Sequence, residues 1–162
     1  MEYNTHISII IPVFNDAENI GQCLRHLMTH GKNAEIILVD GGSEDSTVAV
    51  AQEFPVRIYA SGPGTARQMN LGATKATRDI LYFLRADTFP PESFILDIYS
   101  SLLQGYEAGC FRVKYQSRAW ADRMNGLLSK YNLKWAGAED QSLFLFREKF
   151  LEIGGFDESF EV

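Results

Sequence analysis

Two hydrophobic patterns alternate along the first half of the chain. Runs rich in aliphatic and β-branched residues cover positions 7–13, 36–40, 56–60 and 79–84, and each of them predicts a strand. The nearly continuous run over 7–13 predicts a strand that is buried on both faces of a parallel sheet. Between the runs, apolar residues recur every three to four positions, which predicts amphipathic helices. The first helix has Asn15 as its expected N-cap, Glu18 in the capping-box position and Gly31 as its end. Strand and helix in alternation predict an α/β domain with right-handed crossovers.

The second half continues with fewer and shorter elements. We expect a helix from Pro91 or Glu92 to Leu103, a strand over 108–115, a helix over 120–131, a strand over 142–146 and a short helix over 147–153 that Gly154 and Gly155 close. No repeat, low-complexity tract or linker interrupts these elements. The 162 residues therefore form a single domain with one core.

Composition narrows the class of protein. A hydrophobic fraction of 46% and a charged fraction of 22% are typical of a soluble globular domain. No apolar run reaches the roughly 20 residues of a transmembrane helix, and the first residues lack the features of a secretory signal, so we expect a cytoplasmic protein. Peripheral contact with a membrane surface stays open. Cys23 and Cys110 are far apart in sequence, which suits two reduced thiols rather than a metal site.

The chain has a net charge of −6 and no block of like charges in its sequence. It therefore lacks the basic patch that is typical of nucleic-acid-binding proteins. Any polyanionic ligand must therefore be held locally by glycine-rich turns, helix amino ends, a few arginines or a metal ion.

An acid followed by glycines marks the end of the second strand. Asp40 precedes Gly41 and Gly42, which places its carboxylate where open α/β sheets bind ligands. The alternative is that Asp40 caps the next helix, although Ser43 and Asp45 are better placed for capping.

Polar residues follow the third and fourth strands as well. Arg67, Gln68 and Asn70 lie in the first turns of a helix, where a cation, amides and free backbone N–H groups can meet a diphosphate; the alternative is a solvated helix face. Asp87 ends the fourth strand, which we expect to be a neighbour of the strand ending in Asp40. One carboxylate would bind a base or ribose and the other a divalent cation that bridges phosphates. The pattern predicts a nucleotide site.

Five segments in this order resemble the successive motifs of family 2 glycosyltransferases with the GT-A fold. They are residues 9–16, residues 39–47, residues 66–70, residues 83–88 and residues 154–157. The resemblance covers nearly the whole chain. It implies a Rossmann-like GT-A domain, with a mostly parallel central sheet and helices on both faces. It also implies transfer of a sugar, with inversion, from a nucleotide-diphosphate sugar to an acceptor that the sequence does not define, assisted by Mn²⁺ or Mg²⁺.

The resemblance also implies roles for individual residues. Pro12, Phe14 and Asp16 would border the base; Asp40 with Gly41 would bind the base or ribose; Arg67 would lie near the diphosphate; and Asp87 would be the last acid of the Asp-x-Asp metal motif, preceded by Arg85 and Ala86 on the donor side. Arg85 replaces the first acid of that motif. An arginine there can pair with phosphate directly and partly replace the charge of the metal.

A second departure concerns the general base. In the family an acidic pair that supplies this base follows the Gly-Gly-Phe motif, but the chain ends at Val162 before a counterpart. We therefore expect that the chain, residues 1–162, lacks the C-terminal part of the domain and that Asp140 is the remaining candidate base. Loss of a general base typically lowers rates by ~10²–10⁴, so donor binding can survive without transfer.

Two hypotheses from different classes remain. The chain is a glycosyltransferase, or the donor-binding part of one, or it is a non-catalytic nucleotide-sugar-binding or interaction module with the same fold. A nicotinamide-dependent oxidoreductase is disfavoured because the glycine spacing after the first strand does not match G-x-G-x-x-G. The sugar, the base and the oligomeric state stay open.

Overall fold

A computed structural model of the chain describes residues 6–112 and 140–159, with the backbone alone at residues 112, 140 and 141. In these ranges the strands are β1 (Ile7–Val13), β2 (Glu35–Asp40), β3 (Arg57–Ala60), β4 (Ile80–Phe83), β5 (Ala108–Arg112) and β6 (Asp140–Phe146). The helices are α1 (Ala17–His30), α2 (Thr47–Ala51), α3 (Thr65–Lys75), α4 (Phe94–Leu103) and α5 (Arg147–Glu152).

The strands form one sheet in the order β3-β2-β1-β4-β6-β5. The first four are parallel, and β6 runs antiparallel to both β4 and β5. The central strand β1 is buried on both faces, as its continuous aliphatic run predicts. Phe83 at the end of β4 pairs with Leu143, so residues 140–142 extend towards the edge at which the parallel strands end.

Helices cover both faces of the sheet. One face packs against α1, α2 and α4, which contribute side chains such as Leu24, Ala51 and Phe94. The other packs against α3 and α5, through residues that include Met69 and Phe150. The predicted architecture, a mostly parallel sheet between helices, is confirmed.

Helix α3 lies unusually close to the sheet at Gly72. A Cβ atom there would come within 2.4 Å of the Ile10 Cγ2 atom, far inside van der Waals contact. The predicted small-residue face of this helix is also confirmed, since Ala66, Met69 and Ala73 are buried. Close packing at Gly72 fixes the position of the first turn of α3 at the carboxyl edge of the sheet.

Several sequence predictions are wrong in detail. Asp16, not Asn15, precedes α1, and Asn15 has a φ of 54°, which is incompatible with the extended backbone of most N-caps. Helix α4 begins at Phe94 because the Phe94 N–H bonds to the Pro91 carbonyl in a preceding turn. The strands that end near Asp40 and Asp87 are not neighbours, because β1 lies between them.

The predicted helix over 120–131 and the end of the strand predicted over 108–115 lie outside the described residues. Within residues 6–112 and 140–159, no helix has the length and apolar character needed to cross a bilayer.

Candidate active site

A cavity of about 220 Å³ opens at the carboxyl edge of the sheet. It is lined by Pro12, Val13, Phe14, Asp16, Thr65, Gln68, Arg85, Ala86 and Asp87. Three segments meet there: the end of β1, the segment after β4 and the first turn of α3. The structure thus brings together six of the predicted site residues, while Asp40, Gly41 and Arg67 are not among the lining residues described.

Arg85 and Asp87 face each other across the floor of this cavity. The Arg85 Nε donates to Asp87 Oδ1 at 2.8 Å, and Nη2 donates to Oδ2 at 2.6 Å. The two side chains are 33% and 17% exposed. This is a bidentate guanidinium–carboxylate pair, in which both oxygens of the predicted metal ligand accept hydrogen bonds from the arginine.

Asp16 is the second carboxylate of the cavity. Its Oδ2 accepts a hydrogen bond from the Phe14 N–H at 3.0 Å, and its own N–H donates to Thr47 Oγ1 at 2.8 Å. Burial raises the pKa of Asp16 above the ordinary 3.8, and the negative charge of Asp87 adds to this, against the Phe14 hydrogen bond and the Arg85 charge. A carboxylate with a raised pKa in a cavity is typical of a functional site.

Replacing Asp16 by asparagine is expected to raise the melting temperature at neutral pH by about 1–2 °C. A raised pKa means that the folded chain favours the protonated acid, so the charged carboxylate destabilises the fold as pH rises through that pKa. Asparagine keeps an acceptor for the Phe14 N–H without the charge. The gain should therefore shrink as pH falls towards 3.8, which calorimetric scans across pH will measure. Glu92→Gln, at an exposed position, is the control, and a lower melting temperature for Asp16→Asn at neutral pH would contradict the expectation.

Asp40 stabilises its own turn rather than lining the cavity. Its carboxylate, in a residue only 8% exposed, accepts hydrogen bonds from the Gly42 N–H at 3.2 Å and the Ser43 N–H at 3.1 Å. We expected Asp40 and Asp87 to share one pocket, but only Asp87 is among the lining residues of this cavity. The end of β1 separates the two carboxylates. A role for Asp40 and Gly41 at the base or ribose stays a prediction.

Asn15 connects the loop after β1 with the loop after β2. Its Oδ1 accepts from the Glu44 N–H at 2.9 Å and from the Asp45 N–H at 3.4 Å, and its own N–H donates to Ser43 Oγ at 2.9 Å. Asp45 in turn accepts from the Ala17 N–H at 3.1 Å, at the start of α1. The residue predicted to cap α1 therefore joins two loops. Asp45 is the N-cap of neither helix, but its carboxylate accepts from the first backbone N–H of α1 and from that of α2, at Thr47.

The side chain of Gln68 is buried at the cavity, and its amide nitrogen points to backbone carbonyls of the sheet. The Nε2 donates to the carbonyls of Val13 and Val39, both at 2.8 Å, in a residue 3% exposed. These carbonyls lie near the ends of β1 and β2, so Gln68 connects both strands to α3. The predicted contact of its amide with a diphosphate is wrong, because both amide hydrogens have protein acceptors. Gly41, whose Cβ would lie 3.0 Å from Gln68, leaves the room for this amide.

Asn70 and Arg67 hold the segment after α5. Asn70 accepts from the Phe156 N–H and donates to the Phe156 carbonyl, both at 2.9 Å, and Arg67 Nε lies 3.5 Å from Glu158 Oε2. Asn70 therefore binds protein backbone, in contrast to the prediction. Arg67 is 57% exposed beside Gly62, and its predicted role near a diphosphate stays a prediction.

The donor set fits a metal only in part. Among the residues that the structure describes, no group of three or more His, Cys, Asp or Glu side chains could hold a metal ion. Asp87 and Asp16 are nevertheless hard oxygen ligands in one cavity, and Mg²⁺ is commonly bound by one or two carboxylates together with substrate phosphates. The residues thus suit a metal whose remaining ligands come from the bound molecule.

Fold and cavity together define an α/β domain with a cavity at the carboxyl edge of the sheet, and its structural neighbours are GT-A glycosyltransferases. The mannosyltransferase PcManGT from Pyrobaculum calidifontis, in complex with GDP-Man and Mn²⁺, has a TM-score of 0.69 and 19% identity, covering 97% of this chain and 49% of that one. Glucosyl-3-phosphoglycerate synthase from Mycobacterium tuberculosis, in complex with Mn²⁺, UDP and glucosyl-3-phosphoglycerate, has a TM-score of 0.67 and 19% identity, with coverages of 88% and 57%.

The sequence agrees with the fold. The sequence model of glycosyl transferase family 2 matches residues 8–154, and the chain belongs to this family.

Two curated relatives are glycosyltransferases. Glycosyltransferase AglE of Haloferax volcanii is 33% identical, over 55% of this chain and 33% of that protein. Undecaprenyl-phosphate 4-deoxy-4-formamido-L-arabinose transferase of Pseudomonas aeruginosa is 28% identical, over 70% and 38%. The chain thus spans less than two fifths of the length of either relative.

Proposed function

We propose that the chain binds a nucleotide-diphosphate sugar in the cavity at the end of β1 and forms the donor side of an inverting, metal-assisted glycosyltransferase. The observation that carries the proposal is the lining of the cavity, where an exposed aromatic ring, two carboxylates, an arginine and the amino end of α3 converge.

The cavity offers a different group for each part of the donor. Phe14 is 55% exposed at the rim, where its ring provides a stacking surface for the base. Arg85 faces the position of the diphosphate, beside the amino end of α3, where Thr65 lines the cavity and the helix dipole favours negative charge. A divalent ion, held by Asp87 with Asp16 beside it, would supply charge neutralisation for the departing phosphate.

Transfer requires a base on the acceptor side. In the proposed reaction the acceptor hydroxyl loses its proton to the base while its oxygen bonds to the anomeric carbon, and the bond from that carbon to the phosphate oxygen breaks, releasing the nucleoside diphosphate. We propose Asp140 as the candidate base. Its side chain is outside the described residues, but the pairing of Phe83 with Leu143 supports the proposal, because it puts the start of β6 at the cavity edge of the sheet.

UDP or GDP with MnCl₂ is expected to raise the melting temperature of the chain, since saturation at 100 times the Kd contributes about 2.7 kcal/mol. Phe14→Ala should weaken nucleotide binding at least about fivefold, because stacking of a base on an aromatic ring is worth about 1–3 kcal/mol. Thermal unfolding scans measure the first effect, and isothermal titration calorimetry measures the second.

Tyr106→Ala, which removes another exposed aromatic ring away from the cavity lining, is the matched control and should bind as wild type does. Asp40→Ala tests the predicted contact with the base or ribose. Asp40→Asn is the companion variant, which separates the loss of the turn's hydrogen bonds from the loss of a contact with the nucleotide. The proposal fails if neither nucleotide binds at millimolar concentration.

A non-catalytic nucleotide-sugar-binding module is the second candidate, and the bidentate pairing of Arg85 with Asp87 favours it. Assays of donor hydrolysis and sugar transfer separate the two candidates. Turnover would exclude the binding module.

A further inference from the structure

The pair formed by Arg85 and Asp87 has a consequence for metal binding. Both carboxylate oxygens of Asp87 accept hydrogen bonds from one guanidinium, at 2.8 and 2.6 Å. A divalent ion that binds Asp87 needs the same oxygens. The ion and the arginine therefore compete for one carboxylate, and a cation that approaches alone also meets the positive charge of Arg85.

A bound diphosphate affects both Arg85 and the metal ion, which compete for the Asp87 carboxylate. Its oxygens offer Arg85 a second acceptor with the fork geometry that guanidinium groups bind in two-point fashion. The same diphosphate offers the metal hard oxygen ligands, which the described residues alone do not supply in a group of three. Arg85 can then release Asp87 without losing a charged partner.

We propose that Arg85 couples the two ligands, so that a divalent metal binds Asp87 weakly when alone and more tightly together with a nucleoside diphosphate. This inference rests on the proposed function, since it concerns the same cavity. Arg85 stands where the Asp-x-Asp motif has its first acid, and this replacement alone suggests that the metal site is lost. In our proposal the arginine keeps the metal site but makes metal binding depend on the phosphate ligand.

The coupling is reciprocal. If a nucleoside diphosphate raises the affinity for the metal by some factor, the metal raises the affinity for the nucleoside diphosphate by the same factor. Two independent titrations must therefore give one coupling factor. We expect a factor of about ten or more in the wild-type chain, within the usual range of coupling between sites.

The test measures Mn²⁺ binding to the 162-residue chain by electron paramagnetic resonance, which reports free Mn²⁺ without any need for turnover. Wild type should bind Mn²⁺ about tenfold or more weakly alone than with saturating UDP or GDP. Arg85→Ala should bind Mn²⁺ without nucleotide about tenfold more tightly than wild type does. Its coupling factor should fall below the wild-type factor, to the part that direct contact between the metal and the diphosphate supplies.

Two variants serve as controls. Arg25→Ala removes an exposed arginine from α1 and should leave the coupling factor unchanged. Asp87→Asn should lose Mn²⁺ binding with and without nucleotide, which assigns the signal to this carboxylate.

Each outcome separates the inference from the proposed function. Equal Mn²⁺ affinity with and without nucleotide in the wild type would overturn the coupling, and so would equal nucleotide affinity in EDTA and in Mn²⁺. In either case nucleotide binding itself, and the proposed function with it, would stand. If neither UDP nor GDP binds under any condition, the proposed function fails first.

Discussion

A Gln68→Glu variant is expected to lose about 3–5 kcal/mol of unfolding free energy at neutral pH. The amide nitrogen that donates to the Val13 and Val39 carbonyls would be replaced by a carboxylate oxygen, which repels both. The negative charge would be buried without a partner. Because burial raises the pKa of such an acid, the loss should diminish as pH falls and a protonated carboxyl donates to one of the two carbonyls.

Urea denaturation at neutral pH and around pH 4–5, where carboxyl groups titrate, will measure this recovery. Gln68→Leu is the matched control: it removes the donor without adding charge, so it should cost about 1–3 kcal/mol with little dependence on pH. A Gln68→Glu variant as stable as wild type at neutral pH would show that the amide does not bridge the two strands.

A Gly72→Ala variant should lose about 2 kcal/mol, even though alanine favours a helix by about 1 kcal/mol over glycine. The new methyl group would lie 2.4 Å from Ile10 Cγ2, so α3 must move away from β1. Nucleotide binding should weaken as well, because Thr65 and Gln68 lie on the first turn of the displaced helix.

Gly21 in α1 offers a matched comparison, since its added Cβ would meet Val50 Cγ1 at 3.2 Å, a contact that a small shift relieves. We expect Gly21→Ala to change the unfolding free energy by less than about 1 kcal/mol. In a double-mutant cycle, Ile10→Ala should reduce the cost of Gly72→Ala, because it removes the clashing methyl group. If the free-energy losses of Ile10→Ala and Gly72→Ala were additive, the cost of Gly72→Ala would not come from the contact with Ile10.

The order and type of the described elements could be predicted because the central strands β1, β2 and β4 are buried, whereas the edge strand β3 is partly exposed. Burial of this kind requires continuous aliphatic runs such as residues 7–13, and these are visible in the sequence. The position of a strand in the sheet leaves no such local pattern. β6, for example, lies antiparallel between β4 and β5. Its sequence predicts a buried strand but indicates neither its direction nor its neighbours.

The cavity was predicted in part for a related reason. Asp16, Arg85 and Asp87 follow strands, and strand ends converge by topology, so their convergence could be expected. The partners of Gln68 and Asn70 lie 29 to 88 residues away. A polar residue on the first turn of a helix has the same local signature whether it binds ligand or protein, and the sequence does not distinguish the two.

Asn15 has one more consequence for ligand binding. It joins the loops after β1 and β2 through three hydrogen bonds, each between a backbone N–H and a side-chain oxygen, and so restricts both loops before any ligand arrives. Preorganised loops avoid the entropy cost that a flexible rim incurs on association. Association at this rim should therefore be fast and nearly rigid, with little rearrangement of the backbone on the donor side.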